Sequence, residues 1–148
     1  MIIVSFSAAI NNPILQAAFF GWLAAQVLKV VFVFIKEKKI DYTKMISSGG
    51  MPSSHSSLVV AVATAVGRYA GTGSTAFGLA VAFAVVVMYD AANVRREAGR
   101  QGRLLNKIVE DFYREHRIDE KKFKELLGHT PLEVAGGVIV GIIVGMLV

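Results

Sequence analysis

The chain has 148 residues, of which 54% are hydrophobic and 18% charged, with a formal net charge of +5 and a mean hydropathy of +0.54. Soluble domains run about 45–50% apolar and about 25% charged, so this composition excludes a disordered chain and points away from an ordinary soluble one. The absence of cysteine excludes a disulfide framework, thiol redox chemistry and thiolate metal sites. The length suits one domain. The basic balance fits two partners, nucleic acid or an anionic membrane face, and the placement of the charges decides between them.

Residues 1–28 carry no Lys, Arg, Asp or Glu. Residues 1–12 read as a stub or as the start of the first helix, and no basic stretch precedes them to make a cleaved signal. The first span is expected over about 13–35, long enough to cross a ~30 Å hydrocarbon core. Lys36, Lys38 and Lys39 close it. A second segment, 54–70, is rich in Ala and Val and short for a span, which suits a helix packed between others. A loop, Arg68 to Ser74, leads into a third span over about 74–90, apolar all round. A polar stretch follows over 93–128. In it Leu104, Leu105, Ile108, Val109 and Phe112 recur at helical spacing opposite charges, which predicts an amphipathic helix at the interface or capping the bundle. A shorter helix is expected over 119–127, with Asp119 as N-cap and Gly128 as stop. The last span, 131–148, carries Gly137, Gly141 and Gly145. This G-x-x-x-G spacing permits close helix approach, within one subunit or across a dimer.

The fold class is therefore all-α: an integral membrane bundle of about four spans with an amphipathic interfacial helix, in a single domain over 1–148. Fifteen of the sixteen Lys and Arg lie in or next to one face, and only Arg68 lies opposite. By the positive-inside rule that face is cytoplasmic, in a bacterial-type plasma membrane. This topology explains the basic charge without nucleic acid. Basic residues of 100–124 fit contacts with anionic membrane lipids. Four short spans bury little surface, which leaves a homodimer open.

Two segments do not look like membrane packaging. One runs Ser47-Ser-Gly-Gly-Met-Pro-Ser53-Ser54-His55-Ser-Ser57, the other Gly128-His129-Thr-Pro-Leu-Glu133-Val134. Each places a His at the start of an apolar helix, on the same face, where free backbone N–H groups and the helix dipole suit an anion. Arg95 and Arg96 can grip phosphate oxygens, and Lys29 can reach the same place by snorkelling. Two imidazoles at one anion can divide the work of nucleophile and general acid. Glu133, one helical turn from His129, can fix its tautomer. Plainer roles stand beside these: capping for His55, a turn for His129, lipid-headgroup contact for Lys29. Asp90 suits a salt bridge to Arg95 or Arg96, or, with Glu133, a metal site.

Gly49-Gly-Met-Pro-Ser-Ser-His55-Ser-Ser resembles the Pro-Ser-x-His motif of the type 2 phosphatidic acid phosphatase superfamily, which includes the vanadium-dependent haloperoxidases. Gly128-His-Thr-Pro-Leu-Glu-Val134 resembles that superfamily's last motif, His-x-x-x-Asp-Val. With Tyr89-Asp-Ala-x-x-Val-Arg-Arg96, the chain is similar over about 13–148 to the divergent small bacterial branch. The resemblance implies a metal-independent lipid phosphatase acting through a phosphohistidine. His129 would be the nucleophile, His55 the general acid and Glu133 the orienting acid. Arg95, Arg96, Lys29, Ser53 and Ser54 would bind phosphate, with Asp90 in support. The substrate would be a phospholipid or polyprenyl lipid with a terminal phosphate or diphosphate. No cofactor is expected. Phosphate or vanadate would occupy the site, and magnesium on Asp90 and Glu133 is the alternative. Ser54 stands where the superfamily usually has Gly, Glu133 where it has Asp, and no Arg-Pro follows Lys29. A non-catalytic protein that binds phospholipid or phosphate in the same site is the competing expectation.

Overall fold

A computed structural model describes residues 6–38, 50–113 and 128–148. The helix expected over 119–127 lies outside the described residues, as do Ser47, Ser48 and Gly49. The side chains of Arg95 and Arg96 lie outside them too. Six α-helices are described: α1 (Phe6–Ile10), α2 (Pro13–Glu37), α3 (Ser54–Ala70), α4 (Thr75–Tyr89), α5 (Arg95–Tyr113) and α6 (Pro131–Leu147). A single π-helical turn, Asp90–Val94, joins α4 to α5 without a break. No strand occurs among the described residues.

Local chemistry sets the helix ends. Asn12 caps α2, its side chain accepting from the Ile14 and Leu15 N–H groups, with Pro13 at the first helical position. Ser53, Ser74 and Thr130 cap α3, α4 and α6 in the same way. Helix α3 ends at Gly71, whose φ of +84° places it where a side chain is disfavoured.

Helix α3 is the centre of the bundle, with α2, α4 and α6 packed around it. It runs parallel to α6. A Cβ at Gly137 would strike the Ser53 carbonyl, one at Gly141 would lie 2.6 Å from the Ser57 carbonyl, and one at Gly145 2.6 Å from the Ala61 carbonyl. Each step of four along α6 thus meets a step of four along α3, and the glycine stripe is used inside the subunit. Helix α2 crosses α3 the other way. Gly21 meets Ala61 and Ser57, while Lys29, two turns later, meets Ser54. The Ser57 hydroxyl donates to the Gly21 carbonyl at 2.7 Å, a bond between α2 and α3 in the buried interior. Ser57→Ala is expected to lower stability by about 0.6–1.7 kcal/mol, the range for interhelical hydrogen bonds in membranes, measurable as earlier unfolding in detergent.

The interior is made of small residues: Ala17, Ala25, Ala61, Ala63, Ala65, Ala84 and four buried serines of α3 and its cap. The large side chains face out, among them Phe19, Phe20, Phe32, Phe83, Val86, Ile139 and Ile143. A soluble protein would expose so continuous an apolar surface only at the cost of aggregation. In lipid, where tails are as apolar as leucine, helices gain most from close backbone approach and keep their bulk outside. The chain is an integral membrane helical bundle. Pro13–Lys36 (24 residues) and Thr75–Glu110 (36 residues) are each long and apolar enough to cross a bilayer, and α6 is a shorter apolar helix.

At the end remote from Lys29, the Arg68 guanidinium donates to the Gly145 carbonyl at 3.1 Å and the Tyr69 hydroxyl to the Val148 carbonyl at 2.8 Å. These bonds satisfy carbonyls that the last turn of α6 leaves unpaired.

Candidate active site

The parallel packing of α3 and α6 brings their N-termini to the same end of the bundle. His55 sits in the first turn of α3, just inside the Ser53 cap, and His129 immediately precedes the Thr130 cap of α6. Two backbone hydrogen bonds set their spacing. The Ser53 N–H donates to the Glu133 carbonyl at 2.8 Å, and the His129 N–H donates to the Ala91 carbonyl at 2.9 Å. Ala91 lies buried in the π turn, where the wider helical path departs from the regular backbone ladder. The position of His129 is thereby tied to the junction between α4 and α5.

His55 Nδ1 and His129 Nε2 lie 3.4 Å apart, with the rings inclined at 62°. The other nitrogen of His129, Nδ1, lies 3.1 Å from Glu133 Oε2. With its proton on Nδ1 facing the carboxylate, His129 would direct the Nε2 lone pair at His55 Nδ1. His129 is 2% exposed, whereas His55 is half-buried.

Glu133 has a second attachment. Thr130 and Glu133 form a reciprocal capping box: the Thr130 hydroxyl accepts from the Glu133 N–H, and the Thr130 N–H donates to Glu133 Oε2 at 3.0 Å. The oxygen that meets His129 is therefore fixed by the start of its own helix. Thr-x-x-Glu ahead of an apolar run is the sequence signature of this cap, so Thr130 is a site residue that the sequence displays and that a search for catalytic types overlooks. The cap also suits glutamate here, since the third helical position reaches back to the cap through the longer side chain.

Lys29 enters from α2. It is 2% exposed, and its ammonium donates to Ser54 Oγ at 3.2 Å. A buried ammonium in an apolar bundle is costly unless it has an anionic or polar partner. Ser54 is buried beside it. Ser53 serves α3 itself, its hydroxyl accepting from the Ser56 N–H and the Ser56 hydroxyl. Asp90 is half-buried at the start of the π turn. The backbones of Arg95 and Arg96 open α5, one turn past Ala91.

The structure thus brings together His55, His129, Glu133, Lys29 and Ser54, residues far apart in the chain, at two helix N-termini. Such a cluster offers a nucleophilic nitrogen, a proton donor, a fixed cation and backbone donors around one small volume. The chain matches the model of the divergent PAP2 family over residues 10–144. It is 40% identical over 148 residues to the uncharacterized membrane protein YuiD of Bacillus subtilis (strain 168), with 93% of each chain covered. No solved structure matches. The family model and the relative together show that this membrane protein belongs to the divergent PAP2 family, a phosphatase-like branch.

Proposed function

We propose that the chain is a membrane lipid phosphatase that removes the terminal phosphate or diphosphate of a phospholipid or polyprenyl lipid through a phosphohistidine. The observation that carries this reading is the chain of contacts Glu133–His129–His55, with one nitrogen of His129 on the carboxylate and the other on His55. Glu133 holds the Nδ1 proton, so Nε2 is the nucleophile. Nε2 attacks the terminal phosphorus, the bond from that phosphorus to the oxygen of the remaining lipid alcohol or lipid phosphate breaks, and His55 protonates that oxygen as it leaves. Water then attacks the phosphohistidine, His55 takes its proton, and inorganic phosphate departs with the Nε2 lone pair restored. A phosphoryl group in line between Nε2 and the leaving oxygen does not fit within 3.4 Å, so the half-buried His55 ring turns outward as substrate enters.

The N-terminus of α3 and the Lys29 ammonium stabilise the equatorial oxygens, as phosphoryl transfer demands. Ser53 and Ser54 line this N-terminus, and Arg95 and Arg96 supply further cations from the start of α5. Lys29→Gln is expected to lower kcat/KM by roughly 10²-fold, the scale for one preorganised donor at a developing charge. Steady-state kinetics on wild type and variant check it. Thermal stability that holds or rises in Lys29→Gln, with activity lost, separates this role from packing.

The bundle crosses the membrane with α2, α3, α4 and α6, and the site faces the cytoplasm, supported by the fifteen cations on that side. The spans hold the lipid tail while the site processes the headgroup. The reading is tested by phosphate release from a panel of lipid phosphates in detergent with EDTA present. Release under EDTA supports it, and the panel names the lipid. Release only on added magnesium would replace it with a metal mechanism on Asp90 and Glu133. Phosphate binding without release in either condition would make the chain a non-catalytic binder. Vanadate is expected to occupy the site and inhibit, since it copies the trigonal phosphoryl geometry.

A further inference from the structure

Helix α3 has one side that its neighbours leave open. It meets α6 through Ser53, Ser57, Ala61 and Thr64, and α2 through Ser54, Ser57, Ala61 and Ala65. Helix α4 reaches it at Val59, Val60 and Gly67. His55, Leu58, Val62 and Val66 remain, all half-buried. At ~100° per residue these four fall within about 80° of one another, on the side opposite α6. Helices α2 and α4 each pack on α3 but hardly on each other. The other flank of α4 is shut, since Val138 of α6 packs on the Val59–Val60–Ala84 cluster and the Ala91 carbonyl holds His129. Between α2 and α4 there is thus a groove open to the side, floored by Leu58, Val62 and Val66, with His55 at its head.

Length and chemistry say what fits there. His55 and Val66 are 11 residues apart, ~16 Å at ~1.5 Å per residue, about half of a ~30 Å hydrocarbon core. The groove therefore runs from the site to about the bilayer midplane, the depth that an acyl chain covers below its own headgroup. Its floor is apolar throughout. At its head stand the Lys29 ammonium on Ser54 and the N-terminus of α3, which suit an anion. One end selects negative charge and the rest selects a long apolar chain, so the fitting occupant is an anionic amphiphile of the same leaflet.

We infer that the groove between α2 and α4 is the tail subsite: a phosphate-bearing lipid enters sideways from its own leaflet, with its phosphate at Lys29 and the histidine pair and one chain along Leu58, Val62 and Val66. The headgroup end rests on the phosphatase reading. The groove adds the surface that selects long-chain substrates, and Val62, halfway along the floor, is its specificity-determining residue.

The test places phosphatidic acid with a photoactivatable diazirine in mid-chain, as a minor component, in phosphatidylcholine nanodiscs holding the full chain. Phosphatidylcholine bearing the same modified chain is the comparison. Irradiation on ice followed by peptide mapping should label residues 58–66 several times more with phosphatidic acid than with phosphatidylcholine. Val62→Trp, which fills the groove, should remove that excess. Ile143→Trp, on the lipid-facing side of α6 and 53% exposed, should keep it. Equal labelling by the two lipids, or an excess on another helix, would overturn the proposal. Val62→Trp should also lower kcat/KM for long-chain phosphatidic acid relative to a soluble aryl phosphate by roughly tenfold or more, chiefly through KM. An equal loss on both substrates would make Val62 a packing residue and overturn its assigned role. Labelling requires no turnover, so the two readings fail separately: groove labelling without phosphate release contradicts the phosphatase alone, and release without groove labelling contradicts the tail subsite alone.

Discussion

His129→Ala is expected to lower phosphate release by on the order of 10⁵-fold or more, because it removes the atom that forms the covalent intermediate. His55→Ala should cost less, roughly 10²–10⁴-fold, the usual contribution of a proton donor. The two variants also differ in kind. With an aryl phosphate, whose leaving group needs no proton, His55→Ala should recover the first step and accumulate phosphoenzyme, seen as a burst of aryl alcohol. His129→Ala should show no burst with any leaving group. Glu133→Gln isolates the third member. Its amide oxygen can still accept from the Thr130 N–H and keep the cap, but the charge facing His129 Nδ1 is lost. Stability close to wild type with activity down by about 10²-fold or more is the expected pair of results. Equal activity in wild type and Glu133→Gln would leave that carboxylate as a helix cap alone.

A large effect on stability is expected at Gly141. A Cβ there lies 2.6 Å from the Ser57 carbonyl oxygen, 2.8 Å from Val60 Cβ and 3.0 Å from the Ala61 nitrogen. Two of these three atoms are backbone and cannot swing aside. Gly141→Ala should therefore cost about 1–3 kcal/mol through overpacking, and Gly141→Leu more. Gly78 on α4 is the control, since a Cβ there meets nothing within 4 Å. Gly78→Ala should leave stability unchanged or raise it by up to about 1 kcal/mol through helix propensity. Thermal unfolding in detergent compares the three variants. Gly141→Ala should also lose activity before it unfolds. Spreading α3 from α6 moves Ser53 away from the Glu133 carbonyl, and with it His55 from His129.

Much of this architecture was legible because lipid and water sort the sequence so strongly. The uncharged stretch to residue 28, the lone Arg68 between Ser53 and Tyr89 and the lone Glu133 after Thr130 mark where helices can lie. The cap residues Asn12, Ser53, Ser74 and Thr130 mark where they begin. The meeting of His55 and His129 was legible from topology, since both stand at the start of apolar helices on one face. What one-dimensional pattern could not show was which surface each small residue faces. Gly137, Gly141 and Gly145 have the same spacing whether they meet α3 or another subunit, and only the fold distinguishes the two. The π turn left no compositional trace, because Asp-Ala-Ala-Asn-Val is compatible with an ordinary helical turn. Yet its Ala91 carbonyl holds the backbone of His129. Glu133 showed the opposite failing. Its acid role drew attention away from its cap role, although Thr130-Pro-Leu-Glu133 states the cap openly. The two roles use one oxygen, so helix initiation and histidine orientation are here a single structural event.

The measurement closest to the central claim is to trap the intermediate. Wild-type protein in detergent is mixed with a lipid phosphate carrying labelled phosphorus, quenched in alkali within the first turnover and digested for peptide mapping. The account predicts base-stable, acid-labile label on the peptide containing His129, none in His129→Ala and more in His55→Ala than in wild type. Turnover of the lipid phosphate with no label on the chain, or with label on any residue other than His129, would contradict it.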